Sequence, residues 1–311
     1  MARIRRAGRG DSRKVSRIDR AHPTLQSGVS RFARAGRDDS HGRRRRRGGG
    51  EAGDVTTERE PTIRPDGADT SFPKTLAKRT RLILDALPDP NGTRLIDLGC
   101  GAGGYTLALL ELGLDATGVE IDDAKVEEFR RRAPDRADRV TLADLADAPF
   151  PDASFDAALL NEVIEHAPDE RAALAEARRL LKPGGTLIVF APNRLYPFET
   201  HGVYRKNSDR RLPFHTPFVP YVPNALARRW WRPWARNYFP WELRALVREA
   251  GFRIEKTAYV WQAFDGAYSP TMPAPLRFVA KLAQAVAPFA ERLPLVNRFG
   301  AVSTMVVGRR G

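Results

Sequence analysis

The stretch R-L-I-D-L-G-C-G-A-G-G-Y-T-L-A-L-L-E, Arg94 to Glu111, decides the fold. It reads as a buried strand, a glycine turn and the start of a helix. The strand, Leu95 to Leu98, carries Asp97 two residues before Gly99. Gly99, Gly101 and Gly103 follow at alternate positions, where a backbone without Cβ can turn sharply and lie against a ligand. The helix from Gly104 aims its N-terminal N–H groups into that turn. Gly99, Gly101 and Gly104 also satisfy the dinucleotide fingerprint, so the neighbouring residues must separate the readings.

Working outward, apolar runs alternate with helical patterns. Strands are expected at Asp115 to Glu120, Val140 to Ala143, Phe155 to Leu160 and Thr186 to Ala191, with helices at Asp122 to Arg132 and Glu170 to Leu181 and a turn at Lys182 to Gly185. This alternation implies an α/β fold: a Rossmann-like, doubly wound, mostly parallel sheet of seven strands with helices on both faces. Ligands in such sheets bind outside the carboxyl ends of the strands. Asp97 and Glu120 stand at such ends, Asp144 lies just past one, and Asn161 closes the fourth strand. A carboxylate after the second strand suits a ribose diol. Asp97 would repel a pyrophosphate and attract an ammonium. Asp144, with Leu145 and Phe150, offers an acceptor and apolar walls for an adenine.

Residues 94 to 191 resemble the class I S-adenosylmethionine-dependent methyltransferases, of the methyltransferase type 11 kind. L-I-D-L-G-C-G-A-G looks like their first motif; G-V-E-I-D, L-A-D-L from Leu142, F-D-A-A-L-L-N-E from Phe155 and L-L-K-P-G-G-T-L resemble later ones, in order. The resemblance covers about a third of the chain. It implies S-adenosyl-L-methionine as cofactor, with Asp97, Gly99, Cys100, Gly101 and Gly103 around the methionyl part, Glu120 and Ile121 at the ribose, Asp144 and Leu145 at the adenine, and Asn161 beside them.

Net charge is +14 and unevenly spread. Residues 75 to 192 hold 14 basic against 21 acidic side chains; residues 193 to 311 hold 19 against 7. Residues 1 to 68 are rich in Arg, Gly and Ser, with a five-arginine run at Arg43 to Arg47. That composition points to a disordered basic tail, and Val55 offers an alternative start that would leave residues 1 to 54 untranslated. The methyltransferase domain is expected over 69 to 311, opening with a covering helix from Lys74 to Leu87. Cys100 is the only cysteine, so no intrachain disulfide forms. No apolar run reaches the length of a membrane span, and a cytoplasmic protein is the expectation.

Residues 193 to 239 leave the simple pattern. They are rich in proline and aromatics, Trp230, Trp231 and Trp234 among them, interleaved with arginines such as Arg205, Arg232 and Arg236. This segment reads as a lid that forms the acceptor pocket. A helix at Trp241 to Ala250 and a strand to about Val260 follow. A helical cap over 262 to 298 includes a basic amphipathic stretch, Pro273 to Arg292, with Val286, Ala290 and Leu293 near one face; such a helix can lie on a membrane surface. Ala301 to Val307 reads as the last strand.

Methyl transfer from a sulfonium needs in-line placement of the acceptor; a hydroxyl acceptor gains from a general base. In N-E-V-I-E-H, Asn161 to His166, His166 is the base candidate, with Asn161 beside it. Glu162, Glu165 and His166 also resemble the E-x-x-E-H metal motif of the ubiquinone-biosynthesis O-methyltransferases and the small-RNA 3′-end 2′-O-methyltransferases. The RNA enzymes complete that site with a further histidine, whereas this chain reads Arg236-Asn-Tyr-Phe239; His201 and His215 are the other candidates, and no metal is expected. The fourth-strand motif is not N-P-P-Y, which disfavours methylation of base amines. The sequence therefore points to a methyltransferase for a small or lipid-linked acceptor, most often at oxygen. The alternatives are an RNA 2′-O-methyltransferase and a non-catalytic S-adenosylmethionine-binding module.

Overall fold

A computed structural model describes residues 73–198, 203–206, 208, 212, 216–233, 235–261, 282 and 285–311. The tail expected over 1–68, His201, Phe214, His215, Trp234 and the first half of the expected cap lie outside the described residues.

Seven strands form one sheet: β1 (Arg94–Leu98), β2 (Asp115–Glu120), β3 (Val140–Leu142), β4 (Phe155–Asn161), β5 (Leu181–Pro192), β8 (Phe252–Val260) and β9 (Ser303–Arg310). Their order is β3-β2-β1-β4-β5-β9-β8. The five strands from β3 to β5 run parallel, and β9 runs antiparallel to both β5 and β8. The order reverses between β1 and β4, which places a crevice at their carboxyl ends.

Period-two alternation assigns each side chain to a face. Ile96, Leu98, Leu160 and Val189 are buried with Leu174 and Leu180 of α4 (Glu170–Leu180) and with Leu243 and Val247 of α6 (Pro240–Glu249). Leu95, Leu159, Ile188 and Phe190 are buried on the other face, with Leu76 and Ile83 of α1 (Pro73–Leu84) and Leu109 of α2 (Gly104–Glu111). Phe129 and Val126 of α3 (Asp123–Arg132) form a third cluster with Leu107 and Val140. Both faces of a parallel sheet are covered in this way, as its continuous apolar strands require.

Helix starts follow the local chemistry. Asp122 caps α3 by accepting from the Ala124 N–H. Asp169 caps α4 through the Arg171 and Ala172 N–H groups. Glu242 accepts from the Phe239 N–H at 2.9 Å, and Pro240 opens α6 where its missing donor costs nothing.

Two elements differ from their sequence patterns. The Lys182–Gly185 turn is a bulge inside β5: Leu181 pairs with Phe155, and the ladder resumes at Ala157 with Thr186. The described part of the cap divides the expected apolar face: Ala290 is buried, together with Ala287, whereas Val286 and Leu293 are exposed. A short helix, α7 (Pro294–Gly300), spans the end of the expected cap, passes its expected boundary at 298 and leads into β9. In the lid, β6 (Val203–Arg205) pairs antiparallel with β7 (Trp231–Pro233), and α5 (Asn224–Trp230) precedes β7.

The glycine turn is sterically closed. Gly103 has φ +73°, and a Cβ there would stand 2.0 Å from the Phe129 ring. Gly103→Ala should lower the unfolding free energy by about 2–4 kcal/mol, through strain plus overpacking. Gly92 has φ +69° with nothing within 4 Å of a Cβ, so Gly92→Ala isolates the strain alone, about 1–2 kcal/mol. Urea midpoints read both; equal losses in the two variants would contradict the close Phe129 contact.

Candidate functional site

The loop after β1 is stitched to the end of β2. Gly99 N and Cys100 N both donate to the Val119 carbonyl, at 2.8 and 2.9 Å. Gly101 N donates to Glu120 Oε2 at 2.8 Å. The other Glu120 oxygen accepts from the Ile121 and Asp122 N–H groups, each at 3.0 Å. Three of the roughly four acceptor sites of this carboxylate are thus met by backbone. Glu120 is buried, and it braces the loop while keeping capacity for one further donor.

Asp97 lies under the same loop. Its Oδ2 accepts from the Thr106 hydroxyl at 2.7 Å. Burial pushes its carboxyl up to about 7, the Thr106 hydrogen bond opposing and the nearby Glu120 charge adding to the rise. Cys100 is buried against Gly118, where a Cβ would come within 2.5 Å of Sγ. Burial, with Asp97 and Glu120 nearby, pushes its thiol well above the usual range, so it acts as a small packing residue and not as a reactive thiolate.

The remaining expected residues ring this loop. Ala143 N donates to the Glu120 carbonyl at 3.0 Å, which sets the segment after β3 beside β2. Asp144 is exposed there, its Oδ1 accepting from Ala146 N. Leu145 is half-buried, and Ile121 is 67% exposed. Phe150 is half-buried, its ring edge-on to Phe155 at 5.4 Å. Across the crevice, Val163 packs on Gly99, where a Cβ would meet it at 2.6 Å.

Asn161 is buried and held from below. Its Oδ1 accepts from Arg79 Nη1 at 2.8 Å, while Arg79 Nη2 donates to Glu162 Oε1 and to Ser303 Oγ, both at 2.7 Å. Arg79 is itself buried over the Phe190 ring. Burial works against its charge, but Glu162, Tyr105 and Glu165 together favour it and leave the guanidinium above its ordinary value. Sequence reading missed Arg79, Thr106 and Ser303. The first left a signal: Arg79 falls between Leu76 and Ile83 on the apolar stripe of α1, where a charge must have a buried partner.

In the E-x-x-E-H stretch, Glu162 meets Arg79, so a guanidinium supplies the positive charge there. Burial, reinforced by Glu162, pushes the Glu165 carboxyl well above its usual range. His166 is partly exposed, its Nε2 3.9 Å from Glu165 Oε1. Among the described residues no group of three His, Cys, Asp or Glu side chains is arranged for a metal. The lid is pinned beside this stretch. Arg236 N donates to the Glu165 carbonyl, its guanidinium pairs with Glu170, and Tyr238 Oη donates to Glu170 at 3.1 Å. Arg194 donates to the carbonyls of Pro220 and Val222 and lies over the Phe239 ring. Arg236, one of the lid's basic residues, is therefore structural.

Comparisons with known proteins agree with this geometry. Residues 96–189 match the model of a methyltransferase domain. A probable S-adenosylmethionine-dependent methyltransferase of Mycolicibacterium smegmatis is 31% identical over 171 residues, 55% of this chain and 56% of that protein. A demethylmenaquinone methyltransferase of Beutenbergia cavernae is 31% identical over 185 residues, 56% of this chain and 71% of the relative. A solved geranyl diphosphate methyltransferase in complex with GPP and sinefungin shares the fold, with TM-score 0.50 at 17% identity, covering 76% of this chain and 79% of that one. The chain spans between 34% and 56% of the length of the first three curated relatives.

Asp97 gives a pH prediction for the ligand-free protein. A carboxyl raised on folding favours the folded state below its unfolded value, near 4, and that contribution is lost as pH rises through about 7. Asp97→Asn should therefore stabilise the protein at pH 8 relative to pH 5, by about 2–4 kcal/mol for a shift of this size. Denaturant titrations of both proteins at the two pH values read the difference. An equal effect of the substitution at pH 5 and pH 8 would contradict the raised carboxyl.

Proposed function

The chain belongs to the class I S-adenosylmethionine-dependent methyltransferases, and we propose that it transfers the methyl group directly to an oxygen of a small or lipid-linked acceptor with an apolar ring or body. The observation that carries this reading is the lid. It leaves the sheet at Pro192, the carboxyl end of β5, and returns beside the same strand, Tyr238 N donating to the Pro192 carbonyl at 3.0 Å. Its aromatic residues Tyr196, Phe198, Trp230 and Trp231 form edge-on pairs there. Desolvated aromatic surface suits an apolar body. The relative named for demethylmenaquinone supports an acceptor of that kind.

The chain fits S-adenosyl-L-methionine at the loop. Gly99, Gly101 and Gly103 all take positive φ, which frees the backbone to approach a ligand. Asp97 faces the ammonium as a carboxylate, an opposite charge that draws its own raised titration point down. Glu120 gives its remaining acceptor capacity to a ribose hydroxyl. Asp144 and Leu145 form the exposed rim toward the adenine, with Ile121 beside it. The bound sulfonium supplies the methyl group and the leaving group. The protein's contribution is alignment of the acceptor oxygen, removal of its proton and exclusion of water. His166 is the residue proposed to take that proton: it is partly exposed and lies just past the carboxyl end of β4, on the crevice side of the sheet. Asn161, fixed by Arg79, positions the segment that carries His166.

Mass spectrometry of products from pooled quinones, lipids, glycans and RNA tests the reading. Methylated oxygen on a ring-bearing or lipid-linked compound is expected. Methyl groups on RNA ribose would replace the acceptor assignment, and no product from any pool would leave a cofactor-binding module. With an acceptor in hand, Trp231→Ala should retain cofactor affinity within about twofold while turnover falls tenfold or more, because the two ligands use different walls. Equal loss of both in a folded variant would contradict a dedicated acceptor lid.

A further inference from the structure

The cap carries its large apolar side chains on the outside. Leu282, Val286, Phe289 and Leu293 are exposed, Phe289 at 65%, while Ala287 and Ala290 are buried. Val286 and Phe289 lie three positions apart on the helical stretch 285–290, the spacing of one helical face. A helix that packs only on its own domain shows the opposite arrangement. The pattern continues through α7, where Leu295 is 69% exposed, Val296 and Phe299 are exposed, and no residue is buried. Seven large apolar side chains within eighteen positions exceed the scattered exposure normal for a soluble surface.

This segment is held firmly and in a telling place. Lys78 of α1 pairs with Glu291 at 2.6 Å. Trp261 Nε1 donates to Asn297 Oδ1 at 2.9 Å. Asn193, the first residue of the lid, donates to the carbonyls of Arg298 and Ala301 at 2.7 and 2.8 Å. Ser303 pairs with both Pro192 and Val260. The cap therefore sits at the carboxyl edge of the sheet, beside the lid and on the same edge as the glycine loop. Arg292 and Arg298 are exposed among the apolar residues, and the acid there, Glu291, is taken by Lys78. The chain from 193 onward carries 19 basic against 7 acidic side chains. No helix among the described residues is long and apolar enough to cross a membrane.

We propose that residues 282–299 dock on the surface of an anionic lipid bilayer. Phe289, Leu295 and Phe299 enter the headgroup boundary while Arg292 and Arg298 meet the lipid phosphates. Docking there turns the lid mouth toward the bilayer, from which a lipid-linked acceptor is drawn. The purpose of docking rests on the acceptor reading above; the docking itself does not.

The test uses the full chain. Cys100 is the only cysteine and is buried, so Phe289→Cys or Phe299→Cys labels selectively with an environment-sensitive fluorophore. Arg253→Cys, at the start of β8 on the opposite edge of the sheet, is the control. With vesicles of mixed phosphatidylcholine and phosphatidylglycerol at low salt, probes at 289 and 299 should brighten several-fold and shift blue, with little change at 253, and sedimentation should weaken as salt rises. Sedimentation without a shift at 289 and 299 would assign binding to the arginine-rich tail and overturn the proposal. A shift that needs no vesicles and grows with protein concentration would place a second copy on this face and overturn it as well, as would no sedimentation at low salt. Docking accompanied by methylation of a soluble acceptor only would overturn the lipid-linked acceptor and leave the docking face standing.

Discussion

The hydrogen bond from Gly101 N to the Glu120 carboxylate ties the protein's chemistry to its fold. It joins the turn after β1 to the end of β2, the two strands whose carboxyl ends flank the crevice. A buried carboxylate is costly unless it is met by donors, and here three backbone N–H groups meet it. The same side chain thus shapes the glycine loop and keeps acceptor capacity beyond these three bonds. The positive-φ glycines follow from that closeness: Val163 and Phe129 leave no room for a Cβ at Gly99 or Gly103.

A second tier of buried charge supports the first. Burial raises the Asp97 carboxyl to about 7, the Thr106 hydrogen bond opposing and the Glu120 charge adding to the rise. A cation beside it would favour the carboxylate form. Below β4, Arg79 collects Asn161, Glu162 and Ser303 from separate elements. This single guanidinium links α1, the segment after β4 and the start of β9. It fixes the floor on which His166 and the pinned lid stand. Removing it would take the paired cation from Glu162 and a donor from Asn161, which is why α1 belongs to the site as well as to the core.

The order of elements was legible in the sequence because its signals are local. Alternating apolar runs, the glycine turn and acids at strand ends place Asp97, Glu120 and Asn161 correctly without any long-range information. The bulge in β5 was hidden because Lys182-Pro-Gly-Gly185 is also good turn chemistry, and only pairing with Phe155 distinguishes the two. Arg79 was hidden because its partners lie 82, 83 and 224 residues away. The orientation of the cap was not legible for a physical reason: an amphipathic period shows that a helix has an apolar face, not which way that face points. In this chain the alanines pack inward and the larger residues look out.

The most direct test of the central claim is calorimetry of the purified protein with S-adenosylmethionine and with NADH, repeated on Glu120→Ala. If the braced loop is a methionyl–ribose site, S-adenosylmethionine binds and NADH does not compete. Losing the Glu120 carboxylate then weakens S-adenosylmethionine binding by about 1.5–3 kcal/mol, the worth of a hydrogen bond to a charged group. Tighter binding of NADH, or a folded Glu120→Ala variant with undiminished affinity, would contradict the account.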